Sequence, residues 1–297
     1  MSKEPAYTYL GLLAVVVVSW GVVPCLAELG GLPGDVTTMW VNWFAVIAVG
    51  LILAIRGSFP HLVALPPQKL FQMASLGVVW PLTYSLAYFG SISTGSAAFT
   101  TIINYTWPLF AMIFGYFLNG GKRLFTPLAR GLVLFSIAAV GVSVAWGAGT
   151  MEVTLVGFLL GLIAGITQGF YSAYTDKHTM DAWVLTFVIE VVTAVGATIF
   201  VLVRGTFVVP PIKSLFYLLI VGAVSNGIGF WAFVKGTMLT SNAEPKARAT
   251  WLIGCCLVPF GQIVALVIAG IPVSFAMWFG VILISGGLFF YRFATKE

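Results

Sequence analysis

Charge is what this sequence has least of. Only 8% of its 297 residues are Asp, Glu, Lys or Arg, while 60% are hydrophobic. Soluble domains carry roughly 25% charged residues. A globular chain with this balance could not cover its core with polar surface, and so apolar a composition also excludes disorder. Metal-binding side chains are equally scarce. There are two histidines, His61 and His178, and three cysteines, Cys25, Cys255 and Cys256. None stands at a metal-ligand spacing, so no metal and no cofactor is expected, and the cysteines read as small buried apolar residues. No paired carboxylates are placed for hydrolysis, which argues against an enzyme. Gly120-Gly121-Lys122 departs from a phosphate loop because Arg123 stands where Ser or Thr is needed. There is no arginine ladder for voltage sensing and no carbonyl-filter signature for an ion channel. The net charge is +5, but the cations form no stripe, which excludes nucleic acid as a partner.

What the sequence has in abundance is uncharged apolar length. Charge-free stretches cover 5–27, 36–55, 70–121, 131–151, 153–175, 214–234 and 249–291, and Glu190 alone interrupts 182–203. A membrane-spanning helix needs about 20 such residues. The two longest stretches divide at Ser91–Gly95 and at Gly270-Ile271-Pro272. The expectation is an all-α integral membrane protein with ten transmembrane helices, near 7–26, 35–56, 70–91, 95–118, 126–146, 154–176, 181–203, 213–238, 243–269 and 272–293. The first lacks a signal-peptide cleavage site and is read as a permanent helix. The linkers are short and rich in Gly and Pro, too short for a soluble domain.

Lys and Arg in short loops set orientation. With the N-terminus in the cytoplasm, twelve of the 14 cations lie inside and only Arg204 and Lys213 lie outside. Both termini are therefore expected to be cytoplasmic. Five helices per half is an odd number, so halves sharing one fold would be inverted relative to each other. The expected division is 1–148 for helices 1–5 and 149–297 for helices 6–10. Ser19-Trp20-Gly21 against Thr167-Gln168-Gly169, and Pro108 against Pro259, are the matching features.

Polar chemistry concentrates at few places. A proline inside a helix removes an amide donor and frees the carbonyl four residues earlier. Pro81, Pro108 and Pro259 are the expected kinks. Asn104-Tyr105-Thr106-Trp107-Pro108 is unusually polar and aromatic for mid-membrane. Trp80, Tyr84 and Tyr88 share a face of helix 3; Gln168, Tyr171, Ser172 and Thr175 share one of helix 6; Trp251, Cys255, Pro259 and Gln262 share one of helix 9. Trp20, Asn42 and Trp43 add aromatic and amide groups on helices 1 and 2. The alternative for such residues is packing or interfacial belting. The expected substrate-contacting set is Trp20, Asn42, Trp43, Trp80, Tyr84, Tyr88, Asn104, Tyr105, Trp107, Gln168, Tyr171, Trp251 and Gln262, suited to a flat apolar solute with polar ends. Gly157, Gly161, Gly165 and Gly169 form a smooth ridge for close helix packing. Glu190, flanked by Thr186 and Thr193, is a functional candidate because a buried carboxylate is costly. It would carry a coupling proton or a substrate charge, or bond to those two hydroxyls. Lys235 either snorkels or faces a substrate carboxylate.

Ten short-looped helices, the Trp-Gly of helix 1 and the prolines of helices 4 and 9 together resemble the drug/metabolite transporter superfamily, EamA-type, over nearly the whole chain. Asn104-Tyr105-Thr106-Trp107-Pro108 followed by Asn119-Gly120-Gly121-Lys122, with Tyr171, Thr175 and Lys177, is similar to the YddG-type aromatic amino acid exporters of bacterial inner membranes. Many superfamily members end helices 4 and 9 with an acidic residue. Asn119 and Ala269-Gly270 occupy those regions here, which favours the exporter subgroup. The resemblance implies a multi-pass inner-membrane protein that exports aromatic amino acids, with Met and Thr as further candidates, by alternating access through a central cavity. A monomer in the lipid bilayer, with a small-molecule substrate, suffices for this. A drug or nucleotide-sugar carrier is the alternative within the superfamily; a lipid-modifying enzyme is the alternative outside it.

Overall fold

The computed structural model describes residues 4–118, 138, 140–141, 154–175, 181–241, 254–255 and 257–294. Among the described residues the chain is helical throughout, with no strand. Seven helical segments are long and apolar enough to cross a membrane: Thr8–Gly30, Gly34–Ile55, Pro67–Thr94, Ala97–Gly115, Leu155–Tyr174, Ala182–Arg204 and Ile212–Leu239. They fall on seven of the ten expected spans. The expected fifth helix, 126–146, lies almost wholly outside the described residues, as does the first half of the ninth. The tenth coincides with a helix over Phe275–Ala294.

Several spans are not single α-helices. The first is α1 (Glu4–Gly21) followed, across Val22, by α2 (Val23–Gly30). Gly31 ends it with φ 62°, a left-handed position that only glycine takes without strain. The second span is the unbroken α3 (Gly34–Ile55), and α4 (Phe59–Val63) is a short helix after it. The third span is α5 (Pro67–Gly77), a π-helical turn over Val78–Leu82 that contains Pro81, and α6 (Thr83–Thr94). The wider turn accommodates the missing proline amide, and Thr83 Oγ1 donates to the Val78 carbonyl at 3.0 Å. The fourth span breaks at Tyr105-Thr106 into α7 (Ala97–Asn104) and α8 (Trp107–Leu118). Pro108 therefore sits in the first turn of a new helix, where its missing amide costs nothing. Beyond it come α9 (Leu155–Thr175) and α10 (Ala182–Arg204). The eighth span runs from α11 (Ile212–Leu219) through a second π-helical segment, Ile220–Gly229, into α12 (Phe230–Ser241). Pro259 opens α13 (Val258–Ile268) just as Pro108 opens α8, and α14 (Phe275–Ala294) follows.

Hydrophobic burial does not distinguish a helix neighbour from a lipid tail, so close packing and polar ties must hold the spans together. α3 lies against α10 and the second π segment, and α9 lies against α6 and α8. The glycine ridge of α9 makes the second contact possible. A methyl on Gly161 would stand 2.9 Å from Ile103 Cγ2, and one on Gly165 3.4 Å from the Asn104 carbonyl oxygen. On Gly169 it would strike Phe110 Cβ and lie 2.8 Å from the Trp107 carbonyl. The ridge thus presses on the broken segment of the fourth span. At one end of the bundle, buried Asp35 receives Thr206 Oγ1 at 2.7 Å and Arg204 at 3.3 Å. Glu28 Oε2 there accepts the Ala97 amide at 3.1 Å, filling one of the orphan donors at the start of α7.

Gly169→Ala is expected to lower the thermal unfolding midpoint of the detergent-solubilised protein, because the added methyl meets backbone; overpacking costs about 1–3 kcal/mol. Gly11→Ala, with nothing within 4 Å of the new methyl, should leave it unchanged or raised. Equal midpoints for the two variants would contradict the ridge assignment.

Candidate functional site

Seven parts of the bundle converge on one cavity. It is lined by Trp20 and Val23 of the first span, by Trp80, Pro81, Tyr84, Ser85, Tyr88 and Phe89 of the third, and by Asn104, Tyr105 and Trp107 at the break of the fourth. Gln168 of α9, Glu190 of α10, Asn226 and Phe230 of the eighth span, and Gln262 of α13 complete it. Its volume is about 60 Å³, room for a few water molecules at roughly 10–15 Å³ each.

One wall is a ladder of rings. Trp80, Tyr84 and Tyr88 lie one helical turn apart, so their faces align along α6 and the π turn. Trp80 stacks on Tyr84 at 5.6 Å between centroids and Tyr84 on Tyr88 at 5.5 Å, with interplanar angles of 27° and 11°. Trp80 also stacks on Tyr171 at 3.9 Å and on Phe230 at 4.7 Å. Tyr171 is fully buried behind Trp80.

The opposite chemistry comes from the interrupted helices. Trp20 Nε1 donates to the Ser225 carbonyl at 3.1 Å, and Ser225 Oγ returns a hydrogen bond to the Ser19 carbonyl at 2.6 Å. Gln262 Nε2 donates to the Trp20 carbonyl at 3.0 Å. Asn104 Nδ2 reaches Tyr84 Oη at 3.4 Å. These bonds leave a second set of polar atoms unspent. Trp80 Nε1, Asn104 Oδ1, Gln168 Nε2 and Glu190 Oε2 are buried and meet no hydrogen-bond partner among the described residues. Tyr88 lies beside the Gln262 side chain, and Tyr88 Oη and Gln262 Oε1 are likewise buried without a hydrogen bond of good geometry. Every one of these atoms belongs to a cavity-lining residue. Buried polar groups are normally satisfied, so their convergence on one space makes it the candidate site.

Glu190 is 2% exposed. Gly77 allows the approach of α5 to its neighbours on α10, since a methyl there would stand 3.2 Å from Ile189 Cα. The hydroxyls expected to partner Glu190 are engaged elsewhere: Thr186 donates to the Ala182 carbonyl and Thr193 to the Ile189 carbonyl, each at 2.7 Å. A helical threonine reaches its own i−4 carbonyl more readily than a side chain on the next turn.

The structure brings together Trp20, Trp80, Tyr84, Tyr88, Asn104, Tyr105, Trp107, Gln168, Gln262 and Glu190, with Pro81 beside them. Asn42 stands one layer back, its Oδ1 accepting from Asn226 Nδ2 at 3.3 Å. Trp43 points elsewhere: its Nε1 donates to Thr198 Oγ1 at 3.0 Å beside a small cluster of Met39, Ala197 and Val201. Lys235 is exposed and does not line the cavity. Pro108 and Pro259 shape the backbone without lining it. Trp251 lies outside the described residues. Asn226, Phe230, Ser85, Phe89 and Val23 line the cavity without having stood out in the sequence. Ser225-Asn226, the polar pair amid the glycines of the eighth span, was a usable signal of the same kind as Asn104. Phe230, one of 24 phenylalanines, offered none.

Trp80 is the residue on which the wall depends, since three rings stack on it. Trp80→Ala is expected to cost about 3–5 kcal/mol of stability, measured by thermal unfolding in detergent, whereas Trp80→Phe should retain most of it. Equal losses for Ala and Phe would place the stabilisation outside the ring stack.

Comparison with known proteins agrees with this architecture. Residues 8–145 match the EamA-like transporter family. The aromatic amino acid exporter YddG of Escherichia coli (strain K12) is 24% identical, with the whole of both chains aligned. A solved crystal structure shares the fold with a TM-score of 0.69 at 19% identity, covering 98% of each chain. The likeness to the EamA-like transporter family thus extends over residues 8–145, and the likeness in fold to the solved structure over 98% of the chain.

Proposed function

We propose that the protein exports amino acids, aromatic ones first, across the bacterial inner membrane by alternating access through the ring-walled cavity. The observation that carries this reading is the pairing of an aromatic ladder with unsatisfied amide, indole and carboxylate atoms in a single buried space. A flat apolar ring with a polar, charged end is the solute such a wall suits. The exporter function named for the Escherichia coli relative points to the same class. In the conformation described, the cavity has room for only a few waters, so it must widen to admit an amino acid, and a cycle of opening to either side provides that. A sugar-phosphate carrier would want buried cations, and among the described residues no Lys, Arg or His is buried.

The cycle rests on two inverted five-helix halves, 1–148 and 149–297. Two features support the division. The third and eighth spans each carry a π-helical interruption, and the fourth and ninth each restart with proline as the second residue. These pairs occupy equivalent places in the two halves. Met and Thr are further candidate substrates, and the protein acts as a monomer.

Reconstituted protein is expected to move labelled Phe, Tyr or Trp across liposomes with saturation. Trp107→Ala and Tyr84→Ala should reduce that flux at least about tenfold, the loss of roughly 1.4 kcal/mol of substrate contact. Phe216→Ala, on a ring that is 60% exposed on the outside of the bundle, should not. Absence of amino acid flux would end the proposal; equal effects of all three variants would remove the cavity assignment. A reporter fused to the C-terminus should be active only on the cytoplasmic side, and activity on the outer side would reverse the orientation.

A further inference from the structure

The polar lining of the cavity is unbalanced in charge. Among the described residues Glu190 is the only carboxyl group on its wall and no Lys, Arg or His joins it; Trp80, Gln168, Asn104, Asn226 and Gln262 are neutral. The other buried acid among the described residues, Asp35, is already held by Arg204 and Thr206 at the end of the bundle. Glu190 has no such arrangement. Its Oε2 is unpartnered, the two nearest hydroxyls on its own helix donate to backbone, and no cation among the described residues is buried. Burying a carboxylate in a membrane bundle without a partner is costly, and such a group is expected to be matched in the functional state.

We propose that Glu190 is the counter-ion of a substrate ammonium group, so that the cavity recognises an aromatic ring carrying a cationic nitrogen and does not require a carboxylate. This deepens the exporter reading and rests on the same cavity. A zwitterionic amino acid would place its ammonium at Glu190. Its carboxylate would find only neutral donors, of which Trp80 Nε1 and Gln168 Nε2 are the free ones. Both ends make hydrogen bonds with an ionised partner, but only at Glu190 do two opposite charges meet, and their Coulomb attraction is added there, so the ammonium contributes more than the carboxylate. Aromatic monoamines are therefore ligands of this site, and aromatic acids lacking the amine are not.

Three probes with the same ring separate the contributions: phenylalanine, phenethylamine and 3-phenylpropionate. Their binding to the purified full-length protein is measured by calorimetry in detergent, beside flux of labelled phenylalanine in proteoliposomes. Phenethylamine is expected to bind within about tenfold of phenylalanine, and 3-phenylpropionate at least about tenfold more weakly than phenethylamine. Glu190→Gln keeps the side-chain volume and should abolish the preference for the amine while the protein remains monodisperse. Glu190→Asp should restore part of it, which a purely structural role would not do. Phenylalanine flux without phenethylamine binding would overturn the inference and leave the exporter reading standing. Glu190-dependent amine binding without amino acid flux would do the reverse. No binding of any probe, or an amine preference that survives Glu190→Gln, would overturn the inference as well.

Discussion

Everything in this structure follows from one constraint: inside a bilayer, backbone amides and carbonyls must find partners within the protein. A chain under that rule should consist of unbroken helices. This one breaks them repeatedly, at Val22, at Tyr105-Thr106 and just before Pro259, and it widens them at Val78–Leu82 and Ile220–Gly229. Broken backbone at membrane depth is tolerated where it is buried in protein or lines a polar cavity. Here the interruptions gather around one space, and side chains such as Gln262 and Trp20 bond the carbonyls they expose. The cavity and the breaks are thus one feature seen from two sides.

The aromatic ladder and the glycine ridge are the means by which the breaks are held. Trp80 sits on the π turn beside Pro81 and collects Tyr84, Tyr171 and Phe230 around it. On the far side, Gly165 and Gly169 let α9 press against the interrupted fourth span, close to the Asn104 and Trp107 carbonyls. The elements that define the cavity are therefore also closely packed.

Much of this was legible in the sequence because lipid imposes so crude a code. Runs of uncharged residues placed seven spans within a few residues of where the structure has them. The face shared by Trp80, Tyr84 and Tyr88 followed from helical spacing alone. Pro108 and Asn104 marked the break, since proline and an amide rarely meet at mid-membrane without a purpose. Of the alternatives open for Glu190, the bond to Thr186 and Thr193 is removed only by the structure, because sequence spacing cannot say whether a threonine donates to a side chain or to its own helix. Trp43 was misplaced because the direction of a tryptophan on α3 depends on which helix packs there, and that is α10 with Thr198. Phe230 was invisible because a phenylalanine in an apolar run carries no mark of its role. The helix over 220–229 looked regular in sequence, and only its backbone reveals the π segment.

The central claim is that the substrate occupies the space between the ring ladder and the interrupted helices. Ser85 lines that space and is buried, so a cysteine in its place reports on occupancy. In a protein with Cys25, Cys255 and Cys256 replaced by Ala, Ser85→Cys is treated with a small thiol reagent with and without phenylalanine. The account predicts modification that slows as phenylalanine saturates the protein. A modification rate unchanged at phenylalanine concentrations that saturate flux would contradict it.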